Sequence, residues 1–154
     1  MDGAKLSLRS CDGAVCGAKI ATMSTALPAD AKVITFIITR DREVAKRFYG
    51  ETLGFAPTSE DPFAVVFNLN GTMLRISTVP DHKPPMHTVL GWDIPDIVAT
   101  VRALRSKGVE FNVYPGFGQD ELGIWTAPDS GDRVAWFLDP DGNNLSLTQF
   151  AKGR

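Results

Sequence analysis

The sequence predicts an α+β fold of two βαβββ modules whose curved mixed sheets enclose a cup-shaped cavity. Three observations carry this prediction. First, the corner Asp139-Pro140-Asp141-Gly142-Asn143 separates two short apolar runs, residues 134–138 and 144–148, as the turn of a β-hairpin does. Pro140 presets φ at the first turn position, and Gly142 accepts φ > 0 at no steric cost. Second, one order of elements occurs twice: Asp41 and Asp96 stand 55 positions apart, and Gly54 and Gly108 stand 54 apart. Third, one proline-rich stretch divides the copies. This is residues 79–86 (VPDHKPPM), where Pro80, Pro84 and Pro85 deny backbone donors and helix geometry.

Composition bounds the function. At 154 residues, 44% apolar and 22% charged, the chain holds one domain with a real core. Its net charge of -2 gives no footprint for nucleic acid or an acidic membrane surface. No stretch approaches the roughly 18 continuous apolar residues of a membrane span. Cys11 and Cys16 match neither a redox pair nor a common zinc motif, so a reduced, cytoplasmic protein is expected. Residues 1–30 are rich in Gly, Ala and Ser, lack periodicity and lack the apolar block of a signal peptide. They are expected to be flexible or weakly structured, with the folded domain over residues 31–150. Module one takes 31–79, the linker 80–86 and module two 87–150.

The elements follow in order. Residues 33–38 (VITFII) are β-branched and aromatic, and their near-continuous apolar character predicts a strand buried on both faces. Asp41 caps a helix whose Val44, Ala45, Phe48, Tyr49 and Leu53 recur at spacings of three and four. Gly54 ends it. Short strands are expected at 55–59 and 63–69. Asn70-Gly71 is a strong hairpin signal, and 72–78 (TMLRIST) returns from it. After the linker, 88–94 is a strand, and Asp96 opens a helix with Ile97, Val101 and Leu104 on one face. Gly108 closes that helix, and residues 109–113 are expected to form a short strand. Residues 119–128 are irregular, an extra strand plus a loop, and the 134–148 hairpin completes the module.

The words RDREVAKRFYGETLGF (residues 40–55) and WFLDPDGNNLSL (residues 136–147) closely resemble the vicinal oxygen chelate superfamily. That superfamily includes glyoxalase I, bleomycin-resistance proteins and extradiol dioxygenases. The resemblance covers roughly residues 32–150 and implies paired βαβββ units, a frequent dimer and, in many enzymes, a divalent metal inside the cup. The positions that carry the metal ligands in relatives fall here on Ile34, Val89, Ser146 and the vicinity of Arg75. A shift of one residue gives Thr35 or Thr88. Hydrocarbon side chains cannot coordinate, serine is weak and arginine repels a cation. No metal is therefore expected in the family site. Lewis-acid chemistry of the glyoxalase or extradiol kind is not expected either.

What remains is a cavity and the side chains around it. Arg75 interrupts an apolar strand. It either faces water at the sheet edge or pairs inside the protein, or it anchors an acidic group of a ligand. Ser146 would lie on the equivalent strand of the other module and could offer one hydrogen bond. Strand alternation turns Phe137 toward a helix and Trp136 toward the cup, with Phe36 as a similar residue in module one. Phe117 and Trp125 flank a Gly-rich stretch (Gly116, Gly118, Gly123) that can act as a lid. Trp92 is assigned to core packing. His82 and His87, in or beside the linker, are assigned surface or hinge roles, with Asp81 beside His82. The predicted ligand-binding set is Phe36, Arg75, Phe117, Trp125, Trp136 and Ser146, with no catalytic residue and no cofactor. The predicted function is binding of a small organic molecule, anionic or aromatic, in a metal-less cavity of a homodimer, with no nucleic-acid or membrane partner. A lyase, isomerase or dioxygenase-like enzyme of the same superfamily is one alternative. A dimeric regulatory or partner-binding module is another.

Overall fold

The structure is a computed structural model that describes residues 26–151. The chain divides after Ala31, and the fold is that of the second unit, Lys32–Arg154. Residues 1–25, with Cys11, Cys16 and most of the expected weak segment, lie outside the described residues.

The second unit runs β1 (Ile34–Thr39), α1 (Arg42–Lys46), a π-helical turn (Arg47–Thr52), β2 (Pro57–Glu60), β3 (Ala64–Leu69) and β4 (Thr72–Thr78). After the linker come β5 (Thr88–Asp93), α2 (Ile97–Ser106), β6 (Ile124–Thr126), β7 (Arg133–Leu138) and β8 (Asn144–Gln149). Two four-stranded sheets result, ordered β1-β4-β3-β2 and β5-β8-β7-β6. In each, the first strand runs parallel to the last, and the remaining pairs are antiparallel. The repeat read from spacing is thus a repeat of topology.

Local chemistry explains the boundaries. The Asp41 carboxylate accepts from the Glu43 and Val44 N–H groups at 2.9 and 3.2 Å, and Asp96 accepts from Ala99 N–H at 3.0 Å. These are side-chain caps on otherwise orphan donors. Asn70 (φ 49°) and Gly71 (φ 94°) both take positive φ, as a two-residue hairpin matched to sheet twist requires.

Three expectations need correction. The first helix does not stay α to Gly54. Beyond Lys46 it widens, with Leu53 N–H donating to Phe48 O at 2.9 Å, five residues back. The widened turn carries Tyr49, which is fully buried with its hydroxyl bonded across to the second module. The strand expected at 109–113 is reduced to a single bridge from Phe111 to Phe137. The edge position goes to β6 instead. Gln119 holds the intervening loop: its amide donates to Asn112 O and Gly123 O and accepts from Tyr114 N–H, all at 2.7–2.8 Å. Finally, β1 is not buried on both faces. Ile37 and Thr39 are buried, but Ile34 and Phe36 remain 47% and 58% exposed, because nothing in the described chain covers that face.

One apolar core joins the modules. Ile37, Val65, Phe67, Leu74 and Ile76 of the first sheet cluster with Ala135, Phe137, Leu145 and Leu147 of the second, and with Ile97 and Val101 of α2. Removing this area from water supplies the main drive for folding.

Candidate functional site

The sheet faces opposite the core carry the candidate site. On β7, Phe137 is fully buried in the core, so its neighbour Trp136 lies on the other face, as alternation requires. Trp136 pairs across the sheet with Ser146, and Ser146 pairs in turn with Gly91. The first sheet repeats this row with different chemistry: Val66 pairs with Arg75, and Arg75 with Phe36. The two rows hold equivalent positions in the two modules.

The 113–123 loop folds back so that four rings meet over the second row. Tyr114 and Phe117 each stand edge-on to Trp136 at 5.9 Å between centroids. Trp125 contacts Phe117 at 5.7 Å and Trp136 at 6.4 Å. Edge-to-face packing places positive ring edges on negative ring faces. Phe117 is still half exposed at the mouth of the cluster. Beside Trp136, the Ser146 side chain is buried and its hydroxyl occupies the space over Gly91. A Cβ at position 91 would stand 2.5 Å from that oxygen.

On the first sheet, Arg75 Nη2 donates to Asp61 Oδ2 at 2.7 Å. Asp61 Oδ1 accepts from the Phe63 and Ala64 N–H groups. The Phe63 N–H, with Arg75 next, holds the Asp61 carboxyl below its ordinary value. Arg75 therefore takes the internally paired arrangement, with 30% of its side chain still exposed. A groove of about 540 Å³ lies on this sheet beside Ile34, Val66, Asn68 and Met73.

The structure thus brings Phe117, Trp125, Trp136 and Ser146 together on the second sheet, and Phe36 with Arg75 on the first. Among the described residues, no hydrogen bond or ring contact joins the two groups. Tyr114 belongs to the ring cluster and was missed by sequence reasoning. Its spacing of three from Phe117 was the available signal.

The family's metal positions are poor in donors. Ile34 and Val89 offer only hydrocarbon, the Arg75 guanidinium faces Asp61, and Ser146 offers one hydroxyl. Thr35, one position along, donates its hydroxyl to Met73 O. The described residues contain no group of three His, Cys, Asp or Glu able to hold an ion. The residues present do not fit a divalent metal at these positions.

The Asp139–Asn143 corner does more than turn the chain. It locks module two onto module one. Asp139 accepts from Tyr49 Oη (2.9 Å), Asn143 Nδ2 (2.8 Å), and the Asp141 and Asn143 N–H groups (both 2.9 Å). Burial pushes the Asp139 carboxyl up despite those donors, and burial with the nearby Asp139 charge pushes the Tyr49 phenol up. Burial also acts against ionised Asp141, but the Thr39 hydroxyl and the Arg40 guanidinium and N–H outweigh it and hold that carboxyl down. Asn143 Nδ2 further donates to Ile38 O at 2.9 Å. Its oxygen therefore faces His82, which donates from Nε2 at 2.8 Å. His82 ties the linker to this corner. His87 is exposed.

Comparison with known proteins agrees with this geometry. The family model described as Glyoxalase/Bleomycin resistance protein/Dioxygenase superfamily matches residues 32–147. No match was found among curated proteins. Among solved structures, a glyoxalase/bleomycin resistance protein/dioxygenase from Nocardioides is 19% identical with TM-score 0.64, over 86% of this chain and 89% of its own. TnmS3, an antibiotic binding protein from Streptomyces sp. CB03234, is 26% identical with TM-score 0.62, over 83% of this chain and 100% of its own. A superfamily member from Sphaerobacter thermophilus is 28% identical with TM-score 0.60, over 77% of this chain and 96% of its own.

Proposed function

Because this chain belongs to the glyoxalase/bleomycin resistance protein/dioxygenase superfamily, we propose that it binds a small planar organic molecule and releases it unchanged, without a divalent metal at the family positions. The observation that carries this reading is the cluster of Tyr114, Phe117, Trp125 and Trp136 on the sheet face where metal-dependent relatives place ligands. Four rings with one half-exposed member suit a flat apolar ligand, each stacking contact adding about 0.5–1.5 kcal/mol beyond area burial. Ser146 supplies a hydroxyl for orientation. The likeness to TnmS3, an antibiotic binding protein, supports the same branch.

The open face of the first sheet fits into this reading as the other wall of the cup. Phe36 and Arg75 would meet the aromatic row of a second copy, so the binding form is a homodimer with Arg75 toward an anionic substituent. That requires the Arg75 guanidinium to be shared between Asp61 and the ligand.

Tryptophan fluorescence titration tests the proposal, using bleomycin and a panel of planar polycyclic antibiotics, followed by mass spectrometry of the recovered ligand. Saturable quenching with recovery of the intact molecule supports it. Conversion of the ligand to product would move the protein to the enzyme branch.

A further inference from the structure

The four rings over the second row are packed against one another. Phe117 touches the other three, at centroid separations of 6.0 Å to Tyr114, 5.7 Å to Trp125 and 5.9 Å to Trp136. Trp136 also touches Tyr114 and Trp125, at 5.9 and 6.4 Å. Rings whose centroids lie about 4.5–7 Å apart are in direct contact, so no further ring fits between any of these pairs. Among the described residues, Tyr114 and Trp125 make no ring contact with each other, and Phe117 bridges them over Trp136.

Phe117 is also the ring held least firmly. It is 49% exposed, more than Tyr114, Trp125 or Trp136. Gly116 and Gly118 flank it with φ of 82° and 70°, and a Cβ at either would meet nothing within 4 Å. From Pro115 to Gly118 the backbone makes one hydrogen bond among the described residues, from Phe117 N–H to Tyr114 O at 3.1 Å. The Gln119 amide ties the base of the loop and leaves this tip able to turn about its glycines. Trp125 and Trp136, by contrast, are carried on the paired strands β6 and β7.

Resting on the reading that the ring cluster is the ligand site, we infer that Phe117 fills the ligand's place: the site takes an aryl ring that displaces the Phe117 phenyl from between Tyr114 and Trp125 and meets Trp136 in its stead. Phe117 thereby sets selectivity and threshold together. A saturated ring has no π face or positive edge with which to repeat its contacts. Apparent affinity falls with the fraction of time the phenyl is in place.

The probes are toluene and methylcyclohexane, alike in shape and differing in the π system. NMR follows the indole N–H cross-peaks of the full-length ¹⁵N-labelled protein, with Trp92 as the control for location. The expected result is a saturable change at Trp125 and Trp136, with toluene bound several-fold more tightly than methylcyclohexane. Phe117→Ala should bind toluene about tenfold more tightly, the gain from removing a cover that is in place about nine-tenths of the time. In the native complex, nuclear Overhauser contacts from toluene to Trp136 should replace those from Phe117 to Trp136. Weaker or unchanged toluene binding in Phe117→Ala would make Phe117 a wall of the site and overturn the inference, leaving the binding reading intact. Equal affinity for the two probes, or Phe117–Trp136 contacts that persist at saturation, would overturn it as well. Silence of Trp125 and Trp136 in both proteins would remove the inference together with the reading beneath it.

Discussion

Tyr49→Phe removes one oxygen from the lock between the modules and leaves the packing intact. Tyr49 is fully buried, and its hydroxyl donates to Asp139 Oδ2 at 2.9 Å. A hydrogen bond to an ionised group contributes about 1.5–3 kcal/mol, and the ring itself stays in place, so no cavity cost is added. We expect the variant to lose about 2 kcal/mol at pH 7, read from urea unfolding followed by tryptophan fluorescence. The loss should depend on pH with a defined sign. The Asp139 carboxyl is raised in the fold, first by burial. Its contribution to stability is therefore fully present below the unfolded value of about 3.9 and is lost as pH rises through the raised folded value. Tyr49 bonds the ionised form and limits that loss. Without the hydroxyl, Asp139 rises further, so the variant's deficit is largest at neutral pH and shrinks on acidification. Asp141, held below its ordinary value, runs the other way: its contribution is present above the unfolded value and lost as pH falls through the lowered one. It is common to both proteins and cancels in their difference. A variant as stable as the native protein at pH 7, or a deficit that grows on acidification, would refute the lock.

Further expectations concern the two rows. Trp136→Ala removes the ring that contacts Tyr114, Phe117 and Trp125. It should weaken binding of a planar ligand by about tenfold or more, with circular dichroism of the sheet unchanged. Gly91→Ala puts a methyl 2.5 Å from the Ser146 hydroxyl and forces it to another rotamer. Affinity should fall several-fold in Gly91→Ala, and the double variant with Ser146→Ala should match Ser146→Ala alone, since both changes act through one hydroxyl. Arg75→Gln should weaken an anionic ligand and spare its neutral analogue, a difference that added salt erodes in the native protein; equal effects on both ligands would remove Arg75 from the site.

Much of this architecture is legible in residues. Asp41, Asp96 and Asn70-Gly71 act through bonds within three or four positions, so their spacing declares the caps and the hairpin. Trp136 and Phe137 separate by strand alternation alone. What stayed hidden depends on partners far along the chain. The widening of the first helix accompanies a hydroxyl that reaches Asp139, 90 positions away. Arg75 meets Asp61 across a strand connection, which no periodicity reveals. The exposed face of β1 reads as buried because the composition of residues 33–38 records an apolar surface and not what covers it. Residues 109–113 read as a strand because their Val and Phe content favours one. In the fold, the Gln119 amide satisfies Asn112 O and two backbone groups of the loop beyond.

The central claim is that aromatic rings, and no divalent ion, hold the ligand. The direct measurement is elemental analysis of the purified protein together with ligand titrations, by tryptophan quenching, before and after exhaustive chelation. Superimposable binding curves and no stoichiometric metal are the predicted result. About one tightly held nickel, zinc, iron or manganese per chain, with binding or turnover lost on chelation, would contradict it.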